Sequence, residues 1–144
     1  MTKQLLDTDA MQEDFFADTA MIGIVSAQPG YRFCWILNKY FNIDFKSYPE
    51  QNISLKKKDN TFYFPTYQYE VENSCYNYLL YKLKNGKETL LPELKHLDYL
   101  WLVQTATPEH DAHRIYTELK NIPDVQLAQL LATDQIHSLN NLLV

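Results

Sequence analysis

The chain has 144 residues, 46% hydrophobic and 22% charged, a composition that can bury a core as one domain and argues against a disordered chain. Its formal charge of -5 repels phosphate and weighs against nucleic acid and anionic lipid as partners. Three Gly leave no phosphate-cradling loop, whereas eleven Tyr, seven Phe and two Trp point to extended, pleated structure.

Residues 1–18 carry Asp7, Asp9, Glu13, Asp14 and Asp18 around Leu5, Leu6, Phe15 and Phe16. They read as a short edge strand followed by a loop, a loosely attached acidic segment of a single domain spanning 1–144. An acidic start is not a secretion signal, and no apolar run approaches membrane-spanning length, so the expected location is the cytoplasm. From Ala20 to Ser26 apolar groups fall on both sides, which predicts a strand inside a sheet, with Gly23 admitting a close neighbour. Gln28-Pro29-Gly30 then breaks the chain. Cys34, Leu37, Tyr40 and Phe41 recur at three- and four-residue spacing and predict a helix over Tyr31 to Phe41. Arg32, Asn38 and Lys39 fall mostly off that stripe, with Arg32 and Trp35 close enough to its edge to reach neighbouring elements.

Lys56-Lys57-Lys58 beside Asp59-Asn60 reads as a solvated turn. Between Thr61 and Glu72 the apolar parity changes at Pro65-Thr66, which predicts a bulge or bend there. A turn at Asn73-Ser74 and a strand from Cys75 to Leu83 follow. Asn85-Gly86 predicts a hairpin, returning over Glu88 to Leu91. Leu97 to Val103 reads as a central strand, and Thr107-Pro108-Glu109 opens a helix to about Lys120 with a capping hydroxyl and Ala112, Ile115, Tyr116 and Leu119 buried. Val125 to Ala132 fits helix or strand. Strand is favoured because it completes a strand-helix-strand unit, and the tail from His137 is irregular. The expected fold is α+β, a largely antiparallel sheet of about five to six strands with two helices packed mainly on one face.

Few residues point to catalysis. His110 and His113 lie three apart on the second helix, but no third ligand accompanies them, and no metal or cofactor is expected. Cys34 and Cys75 read as small buried hydrophobes, and no glycine-flanked Ser suggests a nucleophile. Glu93 and Asp98 flank a strand junction, where two carboxylates can divide acid and base roles; the competing reading has them bound to loop amides or to Arg32. Leu91-Pro92-Glu93, three residues, then Leu97-Asp98-Tyr99 resembles the signature of the IPExxxVDY family of small bacterial proteins, with Leu in place of the named Ile and Val. Tyr31-Arg32-Phe33-Cys34-Trp35 with Asn38-Lys39 is similar to the helix near that family's start. The resemblance runs from about Met21 to the C-terminal end and supplies no biochemical role.

The expected function is therefore non-enzymatic: a domain that binds a protein partner or a second copy of itself, with small-molecule binding or acid/base chemistry around Glu93 and Asp98 as the alternative. Tyr31, Arg32, Trp35, Asn38, Pro92, Glu93, Asp98 and Tyr99 are expected to organise structure. Tyr63, Tyr67, Tyr69, Tyr76 and Tyr78 are too many to lie under two helices and form the expected interface.

Overall fold

The computed structural model describes residues 19–47, 52–57, 59–70, 76–86 and 88–131. Expectations for the acidic N-terminal segment, the turn at Asn73-Ser74, Cys75 and the tail from His137 lie outside these residues. Strand β1, Thr19–Val25, leads into helix α1, Gly30–Phe41, and the short strand β2, Lys46–Ser47. Strands β3, Ile53–Lys57, and β4, Asn60–Phe64, form a ribbon of their own, as do β7, Lys84–Asn85, and β8, Glu88–Thr89. Strands β5, Thr66–Glu70, β6, Asn77–Lys82, β9, Tyr99–Gln104, and β10, Leu127–Leu131, join β1 and β2 in a six-stranded sheet. A 3-10 turn, Pro92–Leu94, precedes β9, and helix α2, Pro108–Leu119, follows it. The sheet order is β10-β1-β9-β6-β5-β2, and every neighbouring pair is antiparallel.

The fold is α+β and mostly sheet, as the alternating aromatic segments require. The Leu97–Val103 run yields the central β9, apolar on both faces because both faces are covered. Both helices lie on one side. There Ile22, Trp101, Leu80 and Tyr67 stand in register across four strands and meet Phe33, Cys34 and Leu37 of α1 and Ala112, Ile115 and Leu119 of α2. The other side is not bare. Met21, Leu79, Tyr81, Leu100 and Leu102 pack under Ile53 and Phe64 of the β3–β4 ribbon and under Leu90, Leu91, Leu94 and Leu97. Gly23 sits in this layer with its Cα against the Leu97 side chain, so a methyl group there has no room.

Several local expectations change. The parity switch at Pro65 marks passage from the β3–β4 ribbon into the main sheet rather than a bulge within one strand. Asn85-Gly86 does turn the chain, with Gly86 at φ 61, but the return strand covers only Glu88–Thr89 and pairs outside the main sheet. Thr107 gives no side-chain cap to α2; its hydroxyl and that of Thr105 donate instead to Asp111 Oδ2, at 3.2 and 2.6 Å. The ambiguous stretch after Pro123 is the edge strand β10, paired to β1, so α2 connects two strands separated by β1.

Candidate functional site

Two regions bring the singled-out residues together: the junction before β9 and the outer side of α1. At the junction the Asp98 backbone bonds to both neighbours, its N–H donating to Ile24 and its carbonyl accepting from Leu83, each at 2.9 Å. Its carboxylate accepts the buried Ser26 amide at 2.9 Å through Oδ2 and faces Lys84 Nζ at 3.0 Å through Oδ1. The cation beside Asp98 is therefore Lys84, not Arg32, which is exposed on α1. The hairpin turn at Asn85-Gly86 sets that lysine in place, a connection that sequence spacing did not announce.

Tyr99 donates its hydroxyl to the Gln28 carbonyl at 2.5 Å and stacks on Phe33 with ring centroids 4.4 Å apart. It thereby ties β9 to the loop that starts α1, and Gln28 is held in turn by Asp124 at 2.9 Å. Gly30 is buried against the Tyr67 hydroxyl, a close approach that only glycine permits. At the far end of α1, Asn38 both donates to and accepts from the Phe45 backbone, at 3.1 and 2.7 Å, and so seats Phe45 edge-on to Trp101. Pro92 opens the 3-10 turn whose Leu94 is buried, while Glu93 is exposed on it.

An open cleft of about 430 Å³ lies beside this junction, lined by Gln28, Pro29, Lys82, Lys84, Asp98 and Tyr99 among others. Asp98 lines it and Glu93 does not. With one oxygen on an amide and the other on an ammonium, the Asp98 carboxylate links the loop after β1 to Lys84. Among the described residues no group of three or more His, Cys, Asp or Glu is placed to hold a metal ion. No helix among them is long and apolar enough to cross a membrane.

Under the start of α1, burial pushes the Cys34 thiol up to about 12, and burial with the neighbouring thiol pushes Tyr67 up to about 12. Burial raises Tyr99 and Tyr81 as well. These groups stay neutral in the fold but ionise on unfolding, Cys34 from an ordinary 9.0 and Tyr67 from 10.0. Their contribution to stability is thus full below pH 9 and is lost as pH rises towards 12. Urea midpoints measured by circular dichroism are expected to fall across that window; a midpoint independent of pH there would contradict the burial of these groups.

The five tyrosines do not make one patch. Tyr67 is buried, and Tyr69 and Tyr78 pack against the helix-side core with centroids 5.9 Å apart. Tyr63 is exposed on the separate β4 ribbon, and Tyr76 is exposed just before β6. Exposed aromatics that share one element lie on α1. Tyr31 is 76% exposed and Trp35 59%, four residues apart on one side of the helix. Lys39, one turn further, holds its ammonium 4.8 Å from the Trp35 ring centre, and Arg32 is exposed beside them. The signal for this face was present in the sequence as the residues off the buried stripe. Compared with family models, with curated proteins and with solved structures, the chain matches none of them.

Proposed function

We propose that the chain is a non-enzymatic protein-interaction domain of the IPExxxVDY family, and that it docks short acidic, aromatic segments of protein on the outer side of α1. Support for the family comes from the motif positions themselves: Leu91 and Leu97 are buried, Pro92 opens the 3-10 turn, and Asp98 and Tyr99 fasten β9 to the loop before α1. The observation that carries the docking reading is the exposed Tyr31, Arg32, Trp35 and Lys39 strip. Trp, Tyr and Arg are enriched among the residues that carry binding energy at interfaces.

Charge and size select the kind of partner. Helix α1 contains Arg32 and Lys39 and no acid, although the whole chain is acidic. A helix of this length presents a strip about 18 Å long and about 10 Å wide. That is far below the roughly 800 Å² per partner that a stable globular pair buries. An extended segment with aromatic side chains to stack on Trp35 and carboxylates to meet Arg32 and Lys39 fits this strip; the flat face of a second copy does not.

The test is a titration of the full chain with a short synthetic peptide of phenylalanine and glutamate, followed by tryptophan fluorescence. Trp35→Ala, followed by amide chemical shifts, is expected to weaken binding about tenfold or more, a hot-spot-sized loss. Arg32→Glu with Lys39→Glu is expected to abolish it. Binding that ignores all three substitutions refutes the docking face.

A further inference from the structure

We propose that the cleft beside the β9 junction is a binding site for the phosphate group of a small phosphorylated molecule, held by Lys82, Lys84 and the Ser26 hydroxyl. Tyr31 and Trp35 do not line this cleft, and the proposal is independent of docking on α1. Its cations come from strand alternation. Leu83 is buried in the layer under the β3–β4 ribbon, so Lys82 and Lys84, one residue to either side of it, stand on the opposite face. Lys82 opposes Tyr99 in register, on the side where Tyr99 stacks on Phe33 of α1. Both lysines line the cleft, and its volume of about 430 Å³ falls in the lower part of the range that small-molecule sites occupy.

The two cations are not equivalent. Lys84 Nζ is 3.0 Å from Asp98 Oδ1, whereas no carboxylate among the described residues pairs with Lys82. Asp98 is the one acid among the described residues that line the cleft, and its oxygens are already engaged by Lys84 and by the Ser26 amide. Two ammoniums against one carboxylate leave this lining with a net positive charge. Within a Debye length, about 10 Å at 0.1 M salt, that local charge outweighs the acidity of the chain as a whole. The third donor is buried. Ser26 is 4% exposed, its Oγ accepts the Gln28 amide at 3.3 Å, and no described residue accepts its proton, which is left for an acceptor in the cleft. A phosphate dianion has oxygens enough to meet Lys82 and Ser26 and to draw on Lys84 as well. A carboxylate, with one charge and two oxygens, engages fewer of these donors. Charge and donor number therefore select phosphate.

The probe is inorganic phosphate, titrated into the full chain at about pH 8, where it is a dianion, with ionic strength held constant by sodium chloride and amide chemical shifts as the readout. Shifts are expected at Ser26, Ala27, Lys82 and Lys84, saturating with a dissociation constant on the order of 1 mM. Lys82→Met should weaken binding about tenfold, the effect of one lost charge-assisted hydrogen bond, and Lys82→Arg should restore most of it. Ser26→Ala should weaken it about threefold, as loss of a neutral donor does. Asp98→Asn keeps an acceptor for the Ser26 amide but removes the opposing charge, so it should tighten binding about threefold, a rise that a purely structural role for this cluster does not produce. Acetate should bind about tenfold more weakly than phosphate, having fewer charges and oxygens to offer. Acetate binding as tightly as phosphate assigns the cleft to carboxylates and overturns the phosphate assignment. Phosphate shifts scattered over surface lysines, or unchanged affinity in folded Lys82→Met and Asp98→Asn chains, overturn the site altogether.

Discussion

Trp101→Ala is expected to destabilise the fold by about 3–5 kcal/mol, the usual cost of emptying a large aromatic site in a core. At this chain length that is a fall in melting temperature of about 10 °C or more. Trp101 is the centre of the helix-side layer: fully buried on the central strand, it meets Phe41, Phe45 and Tyr78 with ring centroids 5.3, 5.2 and 5.6 Å away, all near edge-on. Such aromatic pairs contribute beyond the area they bury. Three elements converge on it, since Phe41 ends α1, Phe45 is held by Asn38, and Tyr78 belongs to β6. The cost has an offsetting part, because the indole Nε1–H has no hydrogen-bond partner among the described residues. Trp101→Phe keeps an aromatic ring and removes that donor, so it is expected to cost only about 1–2 kcal/mol. Thermal melts of the two variants separate packing from polarity. An Ala variant as stable as the Phe variant would contradict the arrangement around β9.

What the sequence made legible follows from how local each signal is. Asn85-Gly86 demands a turn because of backbone conformation alone, and Thr107-Pro108 starts a helix by the geometry of proline; both take their places without help from the rest of the fold. The apolar run before Gln104 needed only coverage on both faces, whatever supplied it. The tyrosines were different. Alternation correctly separates Tyr67 and Tyr69 from their neighbours, but which face is the helix side depends on register with β6 and β9, where Tyr67 opposes Leu80 and Leu80 opposes Trp101. Counting two helices against one sheet then suggested a bare face, since the run Lys56-Lys57-Lys58 reads as a solvated turn and hides the strand that ends in Lys57. Ile53, two positions before the apolar Leu55, was the available sign of a strand there, and Phe64 opposite Ile53 completes the cover. For the candidate site, the residues Tyr31, Arg32 and Trp35 were legible but their direction was not. Helical spacing places them off the buried stripe, while only the packing of Phe33 on Tyr99 and of Gly30 on Tyr67 fixes that stripe inward and so turns Trp35 out.

The same packing makes Asp98 the residue whose loss separates organisation from chemistry. Asp98→Ala is expected to cost about 1–4 kcal/mol: the Ser26 N–H, on a buried residue, is left without its acceptor at about 1–3 kcal/mol, and the loss of the partly exposed Lys84 pair adds up to about 1 kcal/mol. The larger figure typical of a fully buried ion pair does not apply, because water reaches both Lys84 and Asp98. Asp98→Asn retains an acceptor for Ser26 and gives up only the charge, so its cost should be nearer 1 kcal/mol and should shrink in high salt, as a screened pair does. Lys84→Met supplies the other arm. If the pair acts as described, Asp98→Asn in the Lys84→Met background costs less than it does alone, since the charge it removes no longer has a partner. Denaturant midpoints for the two single variants and the double variant measure this directly, and peptide binding on α1 serves as the functional readout beside them. Fastening predicts that binding follows stability, with native affinity retained wherever the fold is intact. Loss of binding in a fully folded Asp98→Asn chain would instead place this carboxylate in a ligand site and overturn its assignment as the fastener of β9 to the loop before α1.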